Sequence, residues 1–226
     1  MRILALETSS LRGSVAGLED GKVVKQDELA AEQRSAQSLA PGVQRLLGHL
    51  GWTAKSLDLI AVTRGPGSFT GLRVGLITAK CLCYGTGAQI VGVDTLAVIG
   101  RQAIDHIGKD HLDRRIVAVL NAYRQQVFVA EYAIEASQME TVKDSRIEDL
   151  SDWLENLSDE YLCGPLLGRI KDKLPESAVL SDAANWDPQA ATVGRLGYEQ
   201  FSRADVDDFW TLGPTYLRKS AAEEKR

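Results

Sequence analysis

Cysteine is scarce in this chain: three residues, at positions 81, 83 and 163, an odd number that excludes a paired disulfide framework. Cys81 and Cys83 are two apart on a predicted helix and so point in different directions, which leaves buried, reduced thiols as the expectation. Histidine is equally rare, at 49, 106 and 111. His106 and His111 sit among Asp105, Asp110 and Asp113, but five-residue spacing on a helix puts them on different faces, and a solvated connecting segment is expected rather than a metal cluster. No Ser/His/Asp or Cys/His arrangement is supported by spacing. No run of 18 or more apolar residues is present, so no spanning helix and no membrane partner are expected. Arg2 is followed by only four apolar residues before Glu7-Thr8-Ser9-Ser10, too short for a secretory h-region, and a cytoplasmic location is expected. A cationic excess is missing too. With 31 acidic and 26 basic residues the net charge is -5, which gives the chain alone no electrostatic reason to grip nucleic acid.

What is present is a globular composition, 44% hydrophobic and 25% charged over 226 residues, enough for one domain or two small lobes. Its most informative stretch is Arg64-Gly65-Pro66-Gly67-Ser68-Phe69-Thr70-Gly71-Leu72-Arg73-Val74-Gly75. Pro66 fixes one backbone angle, Gly65 and Gly67 tolerate the positive φ of a sharp turn, and Ser68 or Thr70 can cap the helix that follows. Two nucleotide-binding patterns fail here. A P-loop needs a lysine after its second glycine, and none follows Thr70 or Leu72; a dinucleotide fingerprint needs its third glycine at 70 rather than 71, and an acidic residue near 90, which is isoleucine. Helix packing is the better reading. Gly71, Gly75 and Ala79 form a stripe with almost no side chains, and between 71 and 84 only Arg73, Thr78 and Lys80 are clearly polar, so the helix must be covered on more than one face.

Along the chain, strands are predicted at 2–6, 13–18 and 22–29 as an antiparallel meander, then a helix whose apolar residues run from Ala36 to Leu50 around Pro41. A strand at 57–62 leads into the glycine turn and its helix, followed by a strand at 90–93 and a helix at about 95–107. The second half starts the same way, with strands at 115–120 and 126–134. Helix, strand and helix signals follow at 147–157, 161–163 and 164–174, then a strand near 178–180 and a helix near 188–202. This order reads as a duplicated α/β unit: a lobe over 1–104, a second over 105–204, and a tail over 205–226.

The opening Ile3-Leu-Ala-Leu-Glu7-Thr8-Ser9, the glycine block, Ile90-Val-Gly-Val-Asp94-Thr95-Leu96 and the final Pro214-Thr-Tyr216-Leu217-Arg218 closely resemble the TsaB (YeaZ) family of the tRNA threonylcarbamoyladenosine pathway. The resemblance is strong over the first hundred residues, looser in the second half, and strong again near the end. It implies the actin and sugar-kinase (ASKHA) fold, two ribonuclease-H-like lobes, and kinship with the catalytic subunit TsaD. TsaD holds its metal through H-x-x-x-H on the first long helix, whereas the stretch here reads Gln33-Arg-Ser35-Ala-Gln37, and Ser35 replaces a histidine common in the family. Where the family usually has Asp-Ala-Arg after the first strand of the second lobe, this chain has Asn121-Ala122-Tyr123-Arg124. An amide in place of a carboxylate argues against a metal nucleotide, because hard cations need charged oxygen ligands. Glu7 stands where sugar-kinase-type enzymes hold a metal-binding aspartate, yet a lone carboxylate without a tuning partner is weak evidence for catalysis.

The resemblance therefore implies a non-catalytic scaffold with no catalytic and no metal residues and no tightly bound cofactor, ATP or ADP entering only in the complex. It implies a homodimer when alone, pairing with a TsaD-like subunit, docking of the small ATPase TsaE, and contact with tRNA only through the complex. The contact is expected on the helices at about 35–49 and 71–85, with Arg64, Gly65, Pro66, Gly67, Ser68, Phe69, Thr70, Gly71, Leu72, Arg73, Gly75 and Ala79 as its residues. The alternative is an active ATP-dependent phosphotransferase of the sugar-kinase fold.

Overall fold

The computed structural model describes residues 1–30, 35–108, 111, 113–135 and 138–218. It divides into two units: Met1–Val98 with Pro188–Thr215, and Ile99–Asp187 with the segment from Tyr216 onward.

The first unit is built on a five-stranded sheet in the order β3-β2-β1-β4-β5. Its strands are β1 (Arg2–Glu7), β2 (Ser14–Glu19), β3 (Lys22–Glu28), β4 (Leu59–Gly65) and β5 (Gln89–Asp94). β1, β2 and β3 pair antiparallel, while β1–β4 and β4–β5 pair parallel. The β2–β3 reversal is possible because Asp20 and Gly21 both take positive φ, 48° and 76°, as a tight hairpin with right-handed strand twist requires. β1 is buried on both faces from Ile3 to Leu6, as the central strand of a sheet covered by helices on both sides must be. Leu4, Leu6, Ile60 and Val62 face a core completed by Leu39, Val43 and Leu46 of α1 (Ser35–Leu50) and Leu76 of α2 (Phe69–Thr86). Helix α6 (Ala190–Ser202) covers the sheet from the opposite face, where Gly194 approaches Ala5 and Leu18, and Gly197 approaches Ala61.

The second unit repeats the plan. Its strands are β6 (Ile116–Tyr123), β7 (Gln126–Glu135), β8 (Gln138–Asp149), β9 (Tyr161–Cys163) and β10 (Val179–Leu180), in the order β10-β9-β6-β7-β8. β6–β7 and β7–β8 are antiparallel; β6–β9 and β9–β10 are parallel. Val117, Val119, Val127 and Val129 pack with Trp153 of α4 (Leu150–Glu155) and Leu167 and Ile170 of α5 (Leu167–Ile170). The duplicated two-lobe α/β fold expected from the order of elements is thus present.

Four details differ from the sequence reading. The unit boundary falls inside α3 (Thr95–Asp105), between Val98 and Ile99, rather than at 105–114, because Gly100 already packs on the ring of Tyr132 in the second sheet. Helix α6, expected in the 105–204 lobe, lies on the first sheet, and the 205–226 tail is not separate, since its residues to Thr215 join the first unit. The long strand β8 replaces the expected start of a helix at 147: an edge strand with Glu140, Val142 and Asp144 exposed carries no inward periodicity for sequence reasoning to find. Residues 223–226, expected to fray, lie outside the described residues. Among the described residues, no helix is long and apolar enough to cross a membrane.

Candidate partner interface

The glycine block joins the end of β4 to α2. Gly65 has φ 124°, and a Cβ there would meet the Thr215 carbonyl oxygen at 2.7 Å, so only glycine fits. Gly67 leaves room for the Ser9 carbonyl, which accepts the Ser68 N–H at 2.7 Å. The Ser68 hydroxyl accepts the Gly71 N–H at 3.2 Å, making Ser68, not Thr70, the helix cap. The amides of Ser68 and Gly71 are therefore engaged within the protein.

The stripe of small residues faces inward. A Cβ on Gly71 would sit 2.0 Å from the Thr8 carbonyl oxygen and one on Gly75 2.3 Å from the Thr8 hydroxyl, which itself donates to the Gly71 carbonyl at 2.9 Å. Ala79 is fully buried. Glycine lets α2 lie on the end of β1 at backbone distance. Of the twelve residues expected to form a contact surface, Gly65, Pro66, Gly71, Leu72, Gly75 and Ala79 are buried in the chain's own core, Arg64 and Gly67 are half-buried, and Ser68, Phe69, Thr70 and Arg73 are exposed.

The face of α2 turned to solvent joins Phe69 and Arg73, which the sequence reading named, to Ile77 and Tyr84, which it passed over. Phe69 is 47% exposed, Ile77 61% and Tyr84 73%, at helical spacing with Arg73 and Cys81. Arg73 stacks its guanidinium over Phe69, 3.8 Å from the ring centroid. The signal available in the sequence was that these large apolar residues lie opposite the glycines; once the glycines go in, they must go out. α1 lies beside α2 and exposes Ala40, Pro41, Gln44 and Arg45.

The segment after α6 completes this surface. The Asp207 N–H donates to the Ile90 carbonyl at 3.0 Å, the Gly92 N–H donates to the Asp207 carboxylate at 2.8 Å, and Leu212 is buried against Gly92. The free edge of β5 is thereby capped. The Thr215 N–H then donates to the Arg64 carbonyl at 2.7 Å, and the Arg64 side chain reaches Asp207 at 3.9 Å. Arg64 thus anchors this strap. Trp210, 70% exposed, stands edge-on to Tyr84 with centroids 5.9 Å apart, and Lys80 Nζ donates to its carbonyl at 3.3 Å.

The residues weighed for catalysis serve their own turns. Glu7 is fully buried; one carboxylate oxygen accepts the Ser9 N–H at 2.7 Å and the Ser9 hydroxyl, the other the Ser10 hydroxyl at 3.3 Å. The Asn121 side-chain oxygen accepts the Tyr123 N–H at 2.8 Å, steadying a hairpin in which Tyr123, Arg124 and Gln125 all have positive φ. His106 Nδ1 lies 2.8 Å from the Gln102 carbonyl, and the His111 ring lies beside Tyr161. Among the described residues no cluster of His, Cys, Asp and Glu could hold a metal. The stretch around Gln33 falls partly outside the described residues. Cys83 is buried, and burial pushes its thiol up to about 11; burial also raises the Cys163 thiol. Cys81 is exposed, contrary to the expectation that all three are buried.

Residues 28–177 match the family TsaD, tRNA N6-adenosine threonylcarbamoyltransferase. The whole chain aligns at 30% identity with 97% of the tRNA threonylcarbamoyladenosine biosynthesis protein TsaB of Bacillus subtilis. YeaZ from Pseudomonas aeruginosa superposes with a TM-score of 0.81 at 25% identity, covering 96% of this chain and 99% of that one. The activator of 2-hydroxyisocaproyl-CoA dehydratase from Clostridium difficile, with bound ADPNP, shares the fold alone, at a TM-score of 0.52 and 9% identity over 92% of this chain and 99% of that one. The two-lobe α/β architecture is thus shared with these structures, and the chain belongs to the TsaD-related family of tRNA threonylcarbamoyladenosine biosynthesis proteins, on its TsaB (YeaZ) branch.

Proposed function

We propose that this chain is a non-catalytic partner subunit in forming threonylcarbamoyladenosine on tRNA. It pairs through the outward side of α2 and the adjoining α1 with a TsaD-type transferase in the cytoplasm, and self-associates when alone. A TsaE-type ATPase docks on the pair, and tRNA is contacted only through the assembly. No nucleotide is held tightly by the isolated chain; ATP or ADP enters in the complex.

The observation that carries this reading is the face of α2, where Phe69, Ile77 and Tyr84 stand in solvent on a helix whose other side is locked to the sheet. Exposed apolar residues repeated along one helix side are the pattern of a partner seam. The burial of Glu7, whose carboxylate accepts from its own turn, and the Asn121 oxygen's bond to the Tyr123 N–H support a structural role for both residues. Co-elution with the transferase subunit of the same cell, measured by size-exclusion chromatography with light scattering, tests the proposal. A 1:1 complex is expected, lost in Ile77→Glu with the melting temperature unchanged; two separate peaks at tens of micromolar for the natural chain would refute it.

A further inference from the structure

We infer that the docking face is composite, α2 plus the strap that carries Trp210, and that it fits a partner helix whose apolar seam is flanked by carboxylates rather than a second copy of itself. This rests on the reading of α2 as the pairing surface.

The geometry comes first. Trp210 lies at the Tyr84 end of α2, so Phe69, Ile77, Tyr84 and Trp210 extend one apolar strip from the helix N-terminus onto the strap. The strap is not a loose end: Leu212 is embedded in the core, and Asp207 and Thr215 bond to β5 and to Arg64. Trp210 is therefore presented from a fixed backbone, and a large aromatic held rigidly at low entropic cost is the usual anchor of an interface.

Charge then selects the occupant. The 18 residues of α2 contain Arg73 and Lys80 and no acid; the 16 residues of α1 contain Arg45 and His49 and no acid. His49 already lies 3.7 Å from Asp27. Of the strap's carboxylates, Asp207 is paired with Arg64, while Asp205 and Asp208 stay exposed, Asp208 accepting the Trp210 N–H at 2.7 Å. The chain is acidic overall, yet the helix part of this face is cationic and apolar. Arg73 and Lys80 lie one turn to either side of Ile77, so a twofold contact centred there brings cation to cation. A carboxylate-flanked helix meets them with opposite charge.

The test measures two affinities side by side, that for the transferase subunit of the same cell and that for the chain itself, at 0.1 and 1 M NaCl, which shortens the screening length from about 10 Å to about 3 Å. Salt is expected to weaken the heteropair and to tighten the self-pair. Lys80→Glu is expected to do the same in low salt, lowering hetero affinity about tenfold or more and raising self-affinity, with Lys80→Gln intermediate. Trp210→Ala should weaken the heteropair at least about tenfold while leaving the melting temperature nearly unchanged, because the side chain is mostly solvated. Pairing should also shift the tryptophan emission to the blue, a shift absent in Trp210→Phe, since Trp52 and Trp153 are already buried and Trp186 is half-buried in the second unit with its N–H bonded to the Ser181 carbonyl. A heteropair that forms but ignores Trp210→Ala, or that tightens with salt or with Lys80→Glu, overturns this inference and leaves the proposed function standing. No heteropair at all overturns both.

Discussion

Replacing Gly71 with alanine adds one methyl group, and the structure makes its cost calculable. The new Cβ would sit 2.0 Å from the Thr8 carbonyl oxygen, well over an ångström short of an ordinary contact, and the obstacle is backbone just beyond the central strand rather than a side chain that can swing away. α2 must lift from the sheet. Lifting stretches the bond from the Thr8 hydroxyl to the Gly71 carbonyl, now 2.9 Å. Overpacking of this kind costs about 1–3 kcal/mol. Loss of one buried hydrogen bond adds about 0.5–1.5 kcal/mol. The better helix propensity of alanine returns about 1 kcal/mol. A net loss of about 2 kcal/mol lowers the melting temperature of a chain this size by roughly 4–8 °C. Gly48→Ala, on the exposed side of α1 with nothing within 4 Å of its Cβ, is the control and should be neutral or slightly stabilising. Thermal melts followed by circular dichroism, with size-exclusion chromatography on each variant, read both stability and association. Gly71→Ala should melt early yet keep the wild-type oligomeric state below its transition. A variant that melts at the wild-type temperature but fails to associate would show that the small residues of α2 lie in an interface and that the inward orientation argued here is wrong.

Three further outcomes are expected. Glu131 is buried beneath Lys143, Arg146 and Arg115; burial alone would raise its carboxyl, but bonds to Lys143 and Arg146 outweigh this and hold it below the usual range. Its contribution to stability is therefore present above the unfolded-state carboxyl value and lost as pH falls through the lower folded value, so the melting difference between wild type and Glu131→Gln should shrink from pH 7 towards pH 3; a constant difference would refute this. Native protein at pH 8 should release thionitrobenzoate from one thiol, Cys81, and from three once denatured, because Cys83 and Cys163 are buried with raised pKa; two fast thiols in the native state would refute the packing of α2. Leu212→Ala should cost about 2–5 kcal/mol and speed exchange of the Gly92 amide, which the strap protects; unchanged exchange would mean that the strap is not closed in solution.

The sequence by itself determined the repeated α/β order, the central strand at Ile3–Leu6, the Gly65 turn with a cap at Ser68 or Thr70, and the family, because each depends on local periodicity, on backbone conformations only certain residues allow, or on a contiguous motif. It also showed that small residues mark one side of α2. Which way that side points was decided only by tertiary structure. A glycine stripe lets any backbone come near, and a sequence does not say whether that backbone belongs to the same chain; here it is the turn that leaves β1, through Thr8. The same holds for Trp210 and for α6, separated in sequence by more than a hundred residues from Tyr84 and β1 and brought to them only when the chain returns to its first sheet. Long-range return is set by the burial of whole faces, not by any local signal, which is why the turn was legible and the outward face of α2 was not.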